Sequence, residues 1–396
     1  MQLNRKHSLI FLALAATQQL AVAGDPASIS AGPIEIFPTI SGVIKHDDNI
    51  VLSDNNEVDS MVYEISPGVT AVLRDRMNTY HLSYNLKDAS YVDSDEDDYT
   101  DHHLNANAHL ELNSRNKLDL SAGLDKGHEA RGQGASAGGG TAIGEPAEYD
   151  DVTYGLSYQY GSNEGGARLV FELDELNKEW TNNRVVNAAR DRDETHAGAT
   201  FFYKIGGSTN AFIEYDYTDI NYDIDPLNGL TLDSEENEYN VGVTWEATAK
   251  TTGTAKLGRI DKKFDSAGRE DFDSASWAVD INWQPQDHTL ITLHTGKTVD
   301  ESTGVGSLIE RQQNSITLDQ DWSERLRMRL TASVADDSHE GSQREDDITS
   351  YGAHAIYKFR RWLSFDLGYD FDERDSNQAG LDYEHNVVSL GFNVSL

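Results

Sequence analysis

The sequence predicts an all-β protein: a transmembrane, antiparallel, up-and-down β-barrel of about 18 strands over residues 34–396. Three observations predict it. Apolar residues recur with period two from end to end, connections alternate between short and long, and no segment beyond the first two dozen residues is continuously apolar. The last point excludes a helical membrane protein, because a helical span needs roughly 20 apolar residues in a row.

Residues 1–23 read as a cleaved secretory signal. Arg5 and Lys6 form its basic start, Ser8 to Ala16 its apolar stretch, and Ala21-Val22-Ala23 a small-x-small cleavage site. Gln18 and Gln19 interrupt the stretch, which is too short to span a bilayer. Residues 24–33 are expected to form a short periplasmic segment. The chain contains no cysteine, which suits passage through an oxidising compartment.

The formal charge is -36, from 32 Lys and Arg against 68 Asp and Glu. That argues against nucleic acid as a partner, which needs a basic footprint. Such acidity is also found in disordered chains. The regular placement of 18 Tyr, 12 Phe and 6 Trp within alternating rows argues for folded strands instead.

The rows run in order. Tyr80, Leu82, Tyr84, Leu86 is one face; Leu104 to Leu112, Leu118 to Leu124 and Val152 to Tyr160 follow at every second residue. Later come Leu169 to Leu173, Ala197 to Tyr203, Ala211 to Tyr217, Tyr239 to Trp245 and Ala275 to Trp283. Leu326 to Val334, Tyr351 to Phe359, Leu363 to Phe371 and Val388 to Leu396 complete the clear ones. Weaker segments near 34–45, 61–73, 251–260, 288–296 and 308–320 raise the total to 18. Each row fits a tilted strand of roughly 9–11 residues, the length that crosses a bilayer.

Tight turns are expected at 74–77, 113–116, 206–208, 284–287, 321–324 and 360–361. Long polar connections are expected at 46–60, 125–148, 175–194, 221–235, 261–273, 299–307 and 335–347. Short turns on one side and long loops on the other mark an outer-membrane barrel. An even strand count then puts both termini on the periplasmic side and long acidic loops outside. The final strand carries Ser389, Gly391, Val394 and Leu396, which resemble the C-terminal signal read by the barrel-assembly machinery; Leu396 stands where a Phe is more usual.

Residues between the apolar ones are expected to face the lumen. Arg325, Arg327 and Arg329 form one row, with Arg311, His354 and Lys358 on neighbouring strands. Glu214 and Asp216 form an acidic counterpart. These are the candidates for solute contact, the three-Arg row for an anionic solute. The plainer alternative is that opposite charges pair and hold the wall.

Asp93, Asp95 and Asp97 sit in a predicted external loop and are candidate oxygen ligands for surface Ca²⁺ or Mg²⁺. They lack the spacing of an EF-hand, so a solvated acidic loop bridged to lipopolysaccharide by divalent ions is the simpler reading. Asn221 to Asp225 is read the same way. The Gly-rich stretch 132–144 lacks the Gly-Lys-Ser/Thr ending of a phosphate loop and reads as a surface loop or one folded into the channel. His109 and Ser121 lie on adjacent predicted strands, yet no Gly-x-Ser-x-Gly elbow accompanies them, so no catalytic site and no cofactor is expected.

The segment from Pro38 to Ile50, with its Asp47-Asp48-Asn49-Ile50 step, and Ser66-Pro67-Gly68-Val69 ahead of an alternating strand resemble the putative β-barrel porin 2 family. The likeness extends in layout from Ile34 to Leu396. It implies a Gram-negative outer-membrane barrel associated with exopolysaccharide or capsule export, with periplasmic export proteins and the polysaccharide as partners. The Asp47-Asp48-Asn49 step reads as a turn closing the first strand. Two alternatives stand beside the export outlet: a passive porin for small hydrated solutes, and a structural or adhesive barrel acting through its acidic loops.

Overall fold

The computed structural model describes residues 28–224, 229–248 and 250–395. The signal sequence, Asp225 and Leu396 lie outside the described residues.

Eighteen antiparallel strands form the barrel wall. They are β1 (Ile34–Asp47), β2 (Ser60–Asp75), β3 (Asn78–Tyr91), β4 (Tyr99–Asn113), β5 (Asn116–Glu129) and β6 (Ala147–Tyr160). Next are β7 (Ala167–Trp180), β8 (Arg192–Gly206), β9 (Thr209–Tyr222), β10 (Ser234–Thr248), β11 (Thr251–Phe264) and β12 (Phe272–Gln286). The last are β13 (Thr289–Glu301), β14 (Leu308–Asp321), β15 (Leu326–Glu340), β16 (Glu345–Arg360), β17 (Leu363–Ser376) and β18 (Tyr383–Ser395). Each strand pairs with the next, and β18 pairs with β1 from Val387↔Asp47 to Ser395↔Thr39, which closes the ring and leaves no edge. A three-residue strand, Ile29–Ala31, folds back on β1.

The expected asymmetry is present. Two-residue turns at 76–77, 114–115, 207–208, 287–288 and 361–362 mark one end, the turn end. The other, the loop end, carries connections such as 48–59, 130–146, 181–191 and 223–233. Ile34 and Ser395 both sit toward the turn end, through their pairing with Leu73 and Thr39.

Which face is concave follows from contacts between strands that are not neighbours, since side chains converge only inside a ring. Tyr99 on β4 donates its hydroxyl to Glu64 on β2 at 3.1 Å, and Lys256 on β11 reaches Glu214 on β9 at 2.5 Å. The opposite face is apolar and exposed. Ile213, Val241, Leu257, Leu367 and Leu390 are each more than half exposed there, which is the band that lipid covers. Aromatics gather at two heights: Tyr203, Trp283, Trp322 and Trp362 near the turns, Tyr154, Tyr239 and Tyr351 further up. Rings with a polar edge favour the interface between lipid and water.

The strands correct one expectation. They run 13–16 residues, not the length that just crosses a bilayer. The extra residues extend the wall at the loop end, and there the polarity inverts. On β7, Phe171 and Leu173 face outward, but Glu175, Asn177 and Glu179 follow on that same face, while Leu176 and Trp180 turn inward and are buried. On β9 and β11 the inward residues Ile220, Tyr222, Ile260 and Phe264 are likewise buried. Beyond the lipid, water surrounds the wall and the apolar face moves inside, as in a soluble β-structure. The connections expected at 175–194, 299–307 and 335–347 are accordingly shorter: 181–191, 302–307 and 341–344.

Candidate functional site: the lumen and its two mouths

The lumen wall is built from alternate residues of every strand. Its repeated unit is an imidazole beside a carboxylate on the next strand. His103 Nδ1 lies 2.7 Å from Asp125, His109 Nδ1 2.8 Å from Asp119, and His294 Nδ1 2.7 Å from Asp280. His196 bridges Asp174 at 3.4 Å and Asp216 at 3.2 Å, and His354 bridges Asp366 at 3.0 Å and Asp370 at 3.2 Å. Directly opposed cross-strand positions bring such pairs within reach without loop support.

Seven of the eight lumen candidates share this face, and most are paired. Arg327 meets Asp321 through Nε at 2.6 Å, Arg329 meets Asp319 at 2.8 Å, and Arg311 meets Asp337 at 2.7 Å. Glu214 accepts from Asn240 at 2.9 Å as well as from Lys256, and Asp216 faces His196. The three-Arg row is therefore not a row of three equal cations. Arg327 and Arg329 hold the wall, while Arg325 sits in the turn 322–325 with no carboxylate partner among the described residues. Lys358, also without an ion pair, lies beside it: its backbone N–H donates to Arg325 O at 2.7 Å. The two line a groove at the turn end together with His288, Trp322 and Leu326.

At the loop end the interior is packed. Ile220, Tyr222, Leu232, Ile260, Phe264, Val299 and Leu308 form a buried apolar cluster with Phe272 against it. Tyr222 donates its hydroxyl to Glu301 at 2.6 Å, four strands away, and Glu301 also takes Lys262, whose side chain is fully buried. Arg269 ties this side together, donating to Thr231 O at 2.8 Å and to Ser307 Oγ at 2.8 Å. Burial lowers the Arg269 pKa from its ordinary value.

On the facing side, the connection 130–146 folds against 48–59. Gly132 has φ +85° and approaches so closely that a Cβ there would lie 2.0 Å from Val51 O. Arg131 clamps this connection to 92–98. Its Nε donates to Asp97 at 2.7 Å and its guanidinium to Ser94 Oγ at 3.0 Å, and Ser94 Oγ donates to Asp97 at 2.6 Å. The hydrogen bond to Asp97 raises the Arg131 pKa above its ordinary value. Asp97 is thus turned inward and buried, whereas Asp93 and Asp95 remain exposed. Among the described residues no group of three or more His, Asp or Glu is placed to hold a metal ion.

The Asp47-Asp48-Asn49 step ends β1 and leads into the turn 49–52, where Leu52 N–H donates to Asn49 O at 3.1 Å, and it is also the stitch of the closing seam. Asp48 accepts from the backbone and side chain of Asn386 at 2.6 and 2.8 Å. Asn49, fully buried, donates to Glu384 O at 2.8 Å and to Ser53 O at 2.9 Å. Asp47 meets His385 at 3.0 Å. On β18, Ser389 and Gly391 face the lumen, while Val394 shares the lipid face with Leu390.

Sequence reasoning missed the inward Leu176, Trp180, Tyr222 and Phe264. Their only signal is the phase change in alternation at strand ends.

The family model described as "Putative beta-barrel porin 2" matches residues 22–396. Among solved structures, OpdK from Pseudomonas aeruginosa with vanillate aligns at TM-score 0.52 with 11% identity, covering 91% of this chain and 99% of that one. OccK1 (OpdK) aligns at TM-score 0.51 with 11% identity over 92% of this chain and 99% of the other. A bacterial polysaccharide outer membrane secretin aligns at only 0.40, with 9% identity over 91% of this chain and 97% of that one. No curated protein matches the chain. At 11% identity the two OpdK structures show the fold alone, an outer-membrane β-barrel.

Proposed function

The chain belongs to the putative β-barrel porin 2 family of outer-membrane barrels, and from that premise we propose that it is a channel of the Gram-negative outer membrane for hydrated neutral and cationic solutes, sugars among them. One observation carries this reading. The middle of the lumen is lined by carboxylates, imidazoles, amides and hydroxyls, and the eighteen long strands all lie in the wall. An 18-stranded ring of about 4.8 Å spacing and about 40° tilt has a backbone radius of about 18 Å, enough for water inside the side chains. The acid excess of the wall and loops focuses negative potential that disfavours anions.

Within this reading, the more specific cargo is a neutral exopolysaccharide or capsular chain leaving the cell, with periplasmic export proteins at the turn end. That cargo is what the resemblance read from the sequence implies; passive passage of small solutes suits the same wall equally. Both termini are then periplasmic, the connections 48–59 and 92–98 face outward near lipopolysaccharide, and Ser389, Gly391, Val394 and Leu396 serve assembly.

The test is planar-bilayer conductance of the refolded mature chain, with neutral oligosaccharides of increasing size. Open channels blocked by long oligosaccharides support a sugar-conducting pore. Absence of conductance rejects a standing channel and leaves a barrel acting through its acidic loops or opened by a partner.

A further inference from the structure

The cations of this acidic chain are not evenly matched with carboxylates. Along the wall and at the loop end they are consumed: Lys45 by Glu64, Lys178 by Asp151, Arg190 by Glu129, Arg344 by Asp346. The described cations with no ion pair gather instead at the turn end. Arg76, Arg115, Arg325 and Arg361 stand exposed on four different turns. Lys204 and Lys358 project from strand ends just above such turns, on the lumen side by alternation. Elsewhere among the described residues Lys263, Arg269 and Arg374 lack a carboxylate, and the last two are held by backbone carbonyls. Exposed Asp75, Glu164, Glu246, Asp287 and Glu324 lie at the same end as the six cations and offset part of their charge, but they are fewer than the six. The loop end carries the opposite excess, with Asp54, Glu57, Asp59, Asp93 and Asp95 exposed in 48–59 and 92–98.

Resting on the channel reading above, we propose that the pore is electrically polar along its axis, with an anion-collecting mouth at the turn end and a cation-collecting mouth at the loop end, so that its current rectifies. The reasoning is electrostatic. Fixed charge fills a mouth with counter-ions when the screening length matches the lumen radius. That length is about 10 Å at 0.1 M salt and about 3 Å at 1 M; side chains of about 6 Å leave a lumen radius of about 12 Å inside the ring. With the loop side at positive potential, K⁺ enters from the acidic mouth and Cl⁻ from the basic mouth, and both accumulate in the lumen. With the polarity reversed, each ion is drawn in from the mouth that excludes it, and the lumen empties of carriers. A neutral sugar feels neither field. An anionic solute is gathered at the turn mouth and opposed further along.

The chain has no cysteine, so a single Met77→Cys on the turn end, labelled from one chamber with an impermeant thiol reagent, reports orientation. Current–voltage curves of the Met77→Cys channel are then recorded at 0.1 M and 1 M KCl. The expected result is at least a two-fold larger current at 0.1 M when the loop side is positive, falling to near unity at 1 M. Combining Arg76→Gln, Arg115→Gln, Arg325→Gln and Arg361→Gln should remove most of the asymmetry while leaving conductance. None of the four holds an ion pair, and the salt series needs no such variant. A conducting pore with a straight curve at 0.1 M, an asymmetry of the opposite sign, or one that survives both 1 M salt and the four substitutions overturns the proposal and leaves the channel reading intact. No current at all overturns the channel reading, and this one with it.

Discussion

Replacing Asp97 by Asn removes a buried negative charge and keeps its shape. In the folded chain Asp97 takes Arg131 through Nε and a second guanidinium nitrogen, and Ser94 as well. Both partners are nearly excluded from water, so the loss strands a buried guanidinium. Breaking such a pair costs about 3–5 kcal/mol. Glu96, 3.8 Å from Arg131, offers a partial replacement, which places the expected cost near the lower bound, about 3 kcal/mol. Opening of 92–98 and 130–146 should then become roughly 100-fold more frequent, at about 1.4 kcal/mol per decade. Hydrogen–deuterium exchange of peptides covering both connections, in detergent or nanodiscs, reads this directly. The amides of Asp97, Ser136 and Gly139, each bonded to a nearby carbonyl, should lose protection. Adding Arg131→Gln should restore part of it, because no unpaired charge then remains. Exchange within three-fold of the wild type would refute the clamp, and strictly additive loss in the double variant would refute the buried-charge argument.

Gly132→Ala should free the same mouth by another route. A methyl 2.0 Å from Val51 O at φ +85° cannot be accommodated without moving backbone, so trypsin should cut after Arg131 several-fold faster. Asn49→Ala removes the donors to Ser53 O and Glu384 O at the closing seam; a loss of about 1–3 kcal/mol is expected, read as a lower urea midpoint in vesicles. Leu390→Arg places a charge on the lipid face opposite Leu367 and Ile44. It should cost about 2–4 kcal/mol in lipid and far less in detergent, and equal losses in both would argue against lipid contact there.

The barrel was legible because lipid imposes a rule along each strand. Leu118, Leu120, Ala122 and Leu124 alternate with polar residues since one face meets hydrocarbon, and no other fold needs that pattern eighteen times with turns alternating in length. The rule stops where the lipid stops. Glu175, Asn177 and Glu179 read as loop because their outward face meets water, yet the ladder of β7 with β6 continues to Trp180↔Tyr149. Pairing was the second hidden quantity. The spacing of Arg325, Arg327 and Arg329 puts them on one face, but whether each is free depends on the register with β14, where Asp319 falls opposite Arg329 and Asp321 opposite Arg327. Register follows from turn geometry that one strand's sequence does not contain. Asn49 was visible as part of a family mark, and its partner on β18, Glu384 O, was not, because it lies at the far end of the chain.

The paired wall has a consequence for how fast anything travels through it. An imidazole already engaged by one or two carboxylates has little left to offer a passing hydroxyl. A solute sliding along such a surface meets many shallow wells instead of a few deep ones, so residence at any station is short and transit resembles diffusion in viscous water. On the export reading proposed above, a long chain of repeating sugars would profit most, since every unit would meet the same weak friction and no single contact would have to be broken before the next unit could advance.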